Sequence, residues 1–182
     1  MKLGFIGAGN MAQGIIDGLL KAKAIATDDI IIHGGHAANY ETYAAKVGVQ
    51  TVADNPAVIA ASDVVVLAVK PVMASDVITE ILPALQAKTT PLLWRLAGVS
   101  LLQIEGYLGT KNYPLVRIMP NLKVAINAGM TAYAANPAAA EILPQVVALF
   151  DQLGETIELA EKHFSTFVAL AGSSPAFVYM FI

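Results

Sequence analysis

The sequence predicts an α/β fold in which a parallel sheet is doubly wound, with helices covering both faces, and a short helical segment follows it. Three observations carry this expectation. Short apolar runs alternate with helix-period segments along most of the 182 residues,. The first run is followed directly by a glycine turn that opens a helix. Val64 to Val69 forms a continuous, largely β-branched run, the pattern of a strand buried on both faces,.

Lys2 to Ile6 read as the first strand, and Met11, Ile15, Ile16, Leu19 and Leu20 recur at helical spacing behind it,. After the Thr27-Asp28-Asp29 break, Ile30 to His33 read as a second strand, and Tyr40 to Val47 as a helix entered through Gly34-Gly35,. Val49 to Val52 make a short third strand, and Asn55-Pro56 opens a helix with proline in its first turn, where the missing N–H is no loss,. Ser62-Asp63 then leads into the Val64 strand. Beyond Pro71 the expected elements are a helix at Asp76 to Leu85, a strand at Leu92 to Leu96, a helix at Leu101 to Leu108 and a strand at Leu115 to Met119. Thr131 to Ala134 reads as the last strand, and Pro137 to Leu153 as a helix stopped by Gly154,. The sheet domain is expected to span residues 1–160, with residues 161–182 beginning an all-helical domain.

Composition narrows the function. Charged residues make up 14% of the chain and hydrophobic ones 56%, against roughly 25% charged in an average soluble domain. Burial in a homo-oligomer accounts for such a surplus. The net charge is −3, Arg95 and Arg117 are the only arginines, and the lysines are scattered, so no footprint for a nucleic-acid backbone exists,. There is no cysteine, hence no disulfide, thiolate nucleophile or thiolate metal site,. No metal constellation appears. The Val64–Val69 run is far shorter than the roughly 18 residues a membrane span requires, and polar residues from Gly9 to Asp17 interrupt any signal-peptide core,. A cytoplasmic location is expected.

The chemistry-bearing signal is Gly7-Ala8-Gly9-Asn10-Met11-Ala12, placed between a strand and a helix at the start of a βαβ unit,. Gly7 suits the tight turn, Gly9 leaves room for a pyrophosphate, and Ala12 lets the helix pack closely on the strand. The helix N-terminus then offers free N–H groups to phosphate. This makes the sheet Rossmann-like. At the end of the second strand an NAD-binding protein usually carries a carboxylate for the ribose hydroxyls. Here His33 and Gly34 stand instead, which favours NADP by omission while leaving NAD open. Ala68, Val69, Lys70 and Pro71 end the fourth strand beside the glycine turn, where open α/β sheets bind ligands,. Lys70 reads equally as a solvated residue capping that turn. No convincing acid/base pair is found, since Glu158, Glu161 and His163 read as a solvated helix face,.

With these residues in view, the sequence resembles the pyrroline-5-carboxylate reductase family. GFIGAGNMA, VVVLAVKP, AGVS, RIMPN, GMT and AGSSPAF occur in that family's order and at about its spacing. The resemblance implies reduction of L-1-pyrroline-5-carboxylate to L-proline by hydride from NAD(P)H, the last step of proline biosynthesis. It implies that Gly7 to Met11 hold pyrophosphate, that Ala68 to Pro71 border the ribose and nicotinamide, and that Ala97, Gly98, Met119, Pro120 and Asn121 surround the nicotinamide. Gly172, Ser173, Ser174, Pro175 and Ala176 resemble a loop that holds the substrate carboxylate with backbone N–H groups and hydroxyls. No catalytic side chain is singled out, because an iminium acceptor asks mainly for positioning and exclusion of water. The alternatives are a noncatalytic NAD(P)-binding module, or another dehydrogenase of the superfamily, such as a 3-hydroxyacid dehydrogenase, whose catalytic Lys and Gly-rich substrate loop are not found.

Three departures stand out. Ala171 and Ser174 replace the Ser and Gly usual in the family, and Arg95 interrupts a strand that is usually small and apolar. A buried arginine needs a partner, so Arg95 is expected at an edge or against cofactor phosphate, or else the strand is altered. The family also continues into a helical dimerisation domain that completes the substrate pocket. The segment 161–182 is expected to be only its start, and the chain by itself to be poorly active.

Overall fold

The structure, a computed structural model, describes residues 1–181, apart from the side chains at 175, 176 and 179. Its first half comprises β1 (Leu3–Ile6), α1 (Asn10–Lys21), β2 (Ile30–His33), α2 (Ala37–Val47), β3 (Gln50–Thr51), α3 (Asn55–Ala61) and β4 (Val64–Leu67). The second half continues with α4 (Ala74–Ala87), β5 (Leu92–Trp94), α5 (Leu101–Leu108), β6 (Leu115–Pro120), β7 (Gly129–Ala135), α6 (Leu143–Asp151) and β8 (Gly154–Glu158). A helical segment comes last, as α7 (Phe164–Phe167), a π-helical stretch at Val168–Ser173 and α8 (Ser174–Phe181).

The eight strands form one sheet in the order β3-β2-β1-β4-β5-β6-β7-β8. The first six are parallel, with the 3-2-1-4-5-6 order of the doubly wound dinucleotide fold,. β4 shows why the sheet is covered on both sides. Val64 and Val66 enter a core with Phe5, Ile15 and Phe150, whereas Val65 and Leu67 enter the opposite core with Ile78, Ile81 and Trp94. Burying each such side chain contributes about 1.5–3 kcal/mol. Trp94 is fully buried, and its indole N–H is satisfied by Val99 O at 3.1 Å. Local chemistry sets the helix starts. Asp54 accepts from Ala57 N–H at 2.8 Å ahead of Pro56, and Ser100 and Gln103 form a reciprocal capping box on α5,.

Several boundaries differ from expectation. Thr131 to Ala134 is not the last strand, because β8 comes after it, and the sheet is mixed: β7 is antiparallel to β6, and β8 is parallel to β7. β8 lies at an edge with glutamates among its five residues, so it offers no apolar run to detect,. Gly154 does not stop a helix but begins this strand, with φ +136° against the Gly129 backbone. The expected Pro137–Leu153 helix divides into a 3-10 turn at Pro137–Ala139 and α6. Pro144 explains the division, since a residue without N–H is accommodated only in a first turn,. β4 and β5 end at Leu67 and Trp94, short of Val69 and Leu96, although Ala68 N–H still reaches Ile6 O and Arg95 N–H reaches Leu67 O.

Among the described residues no helix is long and apolar enough to cross a membrane. No group of three or more His, Cys, Asp or Glu among them is placed to hold a metal ion.

Candidate functional site

The loops that leave β1, β4, β5 and β6 meet over the sheet's C-terminal edge. Gly7 makes the turn after β1 at φ +96°, and a Cβ there would lie 2.7 Å from Ala68 O, so only glycine fits,. A Cβ at Gly9 would meet nothing within 4 Å, which leaves the mouth of α1 open. The bond from Gln13 N–H to Gly9 O starts the helix, so Asn10, Met11 and Ala12 have N–H groups without an intrahelical acceptor,. They face a cavity system suited to an anion. One cavity of about 290 Å³ is lined by Gly7, Ala8 and Gly9, by Gly34 to His36, and by Ala68, Val69 and Lys70.

The end of β2 differs from the expectation. His33 is not among the residues lining this cavity; His36 and Tyr40 are. Side chains alternate along a strand, and Ile32 already fills the α1 face, so His33 turns to the α3 face,. There its Nδ1 lies 2.8 Å from Asn55 Oδ1, while Asn55 Nδ2 donates to Glu80 at 2.9 Å. With the amide so oriented, the His33 ring donates through Nδ1. Its backbone carbonyl accepts from Gly7 N–H, and Gly34 lines the cavity.

Two further cavities continue along the crevice. One, of about 230 Å³, lies between the α1 mouth and Ala68 to Pro71. The other, of about 510 Å³, is bordered by Asn10, Met11, Ala97, Met119, Pro120 and Asn121 and by Gly172 and Ser173 of the helical segment. Arg95 lines both. Gly98, at φ +77°, borders a neighbouring cavity with Ala97 and Met119. The structure thus brings together every expected ring and phosphate residue except the His33 side chain. A larger concavity, about 620 Å³, lies elsewhere around Met1, Lys23 and Asp29 and contains none of these residues.

Gly172 to Ala176 do not form a loop. They continue the helix, first as the end of the π-helical stretch and then as α8. Such wide turns concentrate at functional sites. Ser174 Oγ donates to Ala169 O at 2.7 Å, which commits it to the helix backbone, whereas Ser173 lines the cavity. The side chains of Pro175 and Ala176 lie outside the described residues. Asn121 ties this segment to β6: its Nδ2 donates to Ala171 O at 3.3 Å, and its Oδ1 accepts from Lys123 and Met130 N–H.

Glu161, expected on a solvated face, has a different role. Its Oε1 accepts from Arg117 Nη1 at 2.6 Å and from Leu101 N–H at 2.9 Å, and the Arg117 guanidinium sits 4.4 Å over the Phe164 ring. One carboxylate therefore joins β6, the start of α5 and the foot of the helical segment. An arginine inside the apolar LVRIMP strand signals a hidden anion, but nothing in the sequence says which one.

A family model described as NADP oxidoreductase, coenzyme F420-dependent, matches residues 2–90. The chain is 33% identical over its whole length to a pyrroline-5-carboxylate reductase of Synechocystis, covering 67% of that protein. Among solved structures, the reductase of Coxiella burnetii superposes with a TM-score of 0.90 at 31% identity, over 99% of this chain and 67% of its own. That of Plasmodium falciparum, with NADP bound, gives 0.88 at 26% identity, over 100% and 66%. The chain spans about two thirds of the length of the curated relatives it matches, 67% for Synechocystis and 65% for Glycine max. With a relative one-third identical over its whole length, on a dinucleotide fold whose glycine turn opens on the cavities described, the chain belongs to the pyrroline-5-carboxylate reductase family.

Proposed function

We propose that the chain binds NAD(P)H and takes part in reducing L-1-pyrroline-5-carboxylate to L-proline. The observation that carries this reading is the meeting of the α1 mouth with Gly172 and Ser173 in adjoining cavities, with Arg95 in the wall of both. The residues fit a dinucleotide, because the free N–H groups at Asn10 to Ala12 and the open space over Gly9 form a cradle for pyrophosphate,. When bound, the reduced nicotinamide supplies the hydride that the imine carbon receives.

The chain's own residues position and enclose. Gly7 to Met11 cradle the phosphates, Gly34 and His36 border the adenosine end, and Ala68 to Pro71 follow the ribose toward the nicotinamide. Ala97, Gly98, Met119 and Pro120 form an apolar wall that excludes water from the reacting face. Ser173 and the backbone around Gly172 take the substrate carboxylate, with Ser174, Pro175 and Ala176 extending the helix behind them. No general acid or base is required if the ring nitrogen arrives protonated.

NADPH is the preferred form in this reading. The adenosine-side cavity is lined by His36 and Lys70 and, among the described residues, by no carboxylate to repel a 2′-phosphate,. Residues 161–182 begin the helical domain through which subunits associate, and Leu170, Phe177, Val178, Met180 and Phe181 are its exposed apolar surface. The test is NADPH fluorescence on adding the chain, then pyrroline-5-carboxylate, with NADH in parallel. Enhancement is the expected result, with at most slow decay on adding pyrroline-5-carboxylate, since the chain spans about two thirds of its relatives' length. Absence of enhancement with either nucleotide would overturn the reading.

A further inference from the structure

β5 ends at Trp94, and the next side chain, Arg95, is a cation with no ion pair among the described residues. Arg95 Nε is buried with no hydrogen-bond partner among the described residues. The ion pair found among them belongs to Arg117 and Glu161, and Arg95 is in none. Burial pulls the Arg95 pKa below its ordinary value, which means the charged form is partly stripped of water without compensation,. An apolar residue there would avoid that penalty.

The surroundings supply a reason for the charge. Arg95 lines the cavity that holds Gly9 and Lys70 and also the one that holds Asn121 and Ser173, so it stands in the wall common to both. Among the described residues no Asp or Glu lines either cavity. The free N–H groups of α1 and the Lys70 ammonium add positive potential on the same side. A planar guanidinium is suited to two oxygens of one anionic group.

We propose that Arg95 is a binding residue of this crevice whose guanidinium takes an oxyanion of the occupant, either the dinucleotide pyrophosphate or the substrate carboxylate. The identity of the occupant rests on the function proposed above; the anion site itself rests on the unpaired cation and the cavities it borders.

The experiment compares the full chain with Arg95→Met, which keeps the stem and removes the charge, and with Arg95→Lys, which keeps a point charge without the fork. Calorimetric titrations with NADPH and with inorganic pyrophosphate are combined with the KM for pyrroline-5-carboxylate and the ligand-free melting temperature. Arg95→Met is expected to lose about 10- to 100-fold in one of these affinities, and Arg95→Lys less. Loss toward NADPH and pyrophosphate assigns the oxyanion to the cofactor. A raised KM with unchanged NADPH affinity assigns it to the substrate. The melting temperature of Arg95→Met is expected to hold or rise, because a half-buried charge with no ion pair among the described residues has been removed.

Wild-type values for Arg95→Met in all three binding measurements would overturn the proposal. A fall of several degrees in its melting temperature would also overturn it, by showing a structural arginine. A wild-type chain that binds pyrophosphate in an Arg95-dependent way but, in the fluorescence test, neither NADPH nor NADH would keep this site and refute the proposed function. One that binds none of them would refute both.

Discussion

Replacing Glu161 with alanine tests whether one carboxylate anchors the helical segment to the sheet. The change removes both acceptor contacts, to Arg117 Nη1 and Leu101 N–H, and leaves the Arg117 side chain, 8% exposed, without its counter-charge. Removing one member of a fully buried pair costs about 3–5 kcal/mol. Glu161 is 30% exposed, so water enters the space left and reduces the loss to about 2–3 kcal/mol,. For a chain of this length each kcal/mol moves the melting temperature by about 2–4 °C, giving a fall of roughly 4–12 °C. Differential scanning calorimetry reads this directly, and proteolysis should open residues 161–167 first. Glu161→Gln keeps an acceptor for Leu101 N–H and should lose about half as much. The double change Arg117→Leu with Glu161→Leu should lose less than the two single changes added together. A Glu161→Ala melt within about 1 °C of wild type, on the same scaling, would refute the reasoning.

Three more perturbations separate binding from folding, and a fourth concerns pH. Gly7→Ala places a side chain at φ +96° and 2.7 Å from Ala68 O, and should destabilise the fold by about 2 kcal/mol or more in a chemical denaturation curve,. Gly9→Val meets open space, so its melt should be unchanged while NADPH affinity falls more than about tenfold; equal effects on both measurements would refute the assignment,. Ser173→Ala should raise the KM for pyrroline-5-carboxylate by about tenfold, the loss of one hydrogen bond, whereas Ser174→Ala should leave KM unchanged and lose at most about 1 kcal/mol of stability,. Burial, then the Asp17 contact, raises the Tyr43 pKa well above 10.0, and burial raises that of Tyr113. Both phenols ionise more readily unfolded than folded, so this stabilisation is complete below about pH 10 and is lost as pH rises beyond it. Ultraviolet titration should show these two of the six tyrosines ionising only with unfolding, and free titration of all six in an intact fold would disprove it.

The first half of the fold is legible because local signals agree there: strand runs, proline in a first turn at Asn55-Pro56, and the glycine turn. β8 is not, since Glu155, Thr156 and Glu158 give an exposed edge strand no hydrophobic period. Nor does any residue pattern encode that β7 runs against β6. In the crevice, the glycine turn and the Ala68, Ala97 and Met119 strand ends follow from topology, and their convergence can be read. The direction of His33 depends on strand parity at a boundary, where a one-residue change flips the face. The Arg117–Glu161 contact spans 44 positions, and the carboxylate that answers Arg117 is chosen by tertiary packing alone. The π-helical stretch is hidden for another reason: its composition is that of an ordinary apolar helix, and only the register of its hydrogen bonds differs.

The reversal at β7 has a mechanical consequence. Because β7 and β8 descend, the chain leaves the sheet below the crevice, with Glu158 opposite Tyr133 and thus near the level of Ile118. Beyond Glu158 the backbone must climb back, packing Phe164 on Met119 and Ala132 before reaching Asn121. Residues 161–173 therefore form a strap held at two points, its foot by Glu161 and its π-helical stretch by Asn121. The place of Ser173 along the crevice is therefore set by two contacts, at Glu161 and at Asn121, that its own hydroxyl does not make.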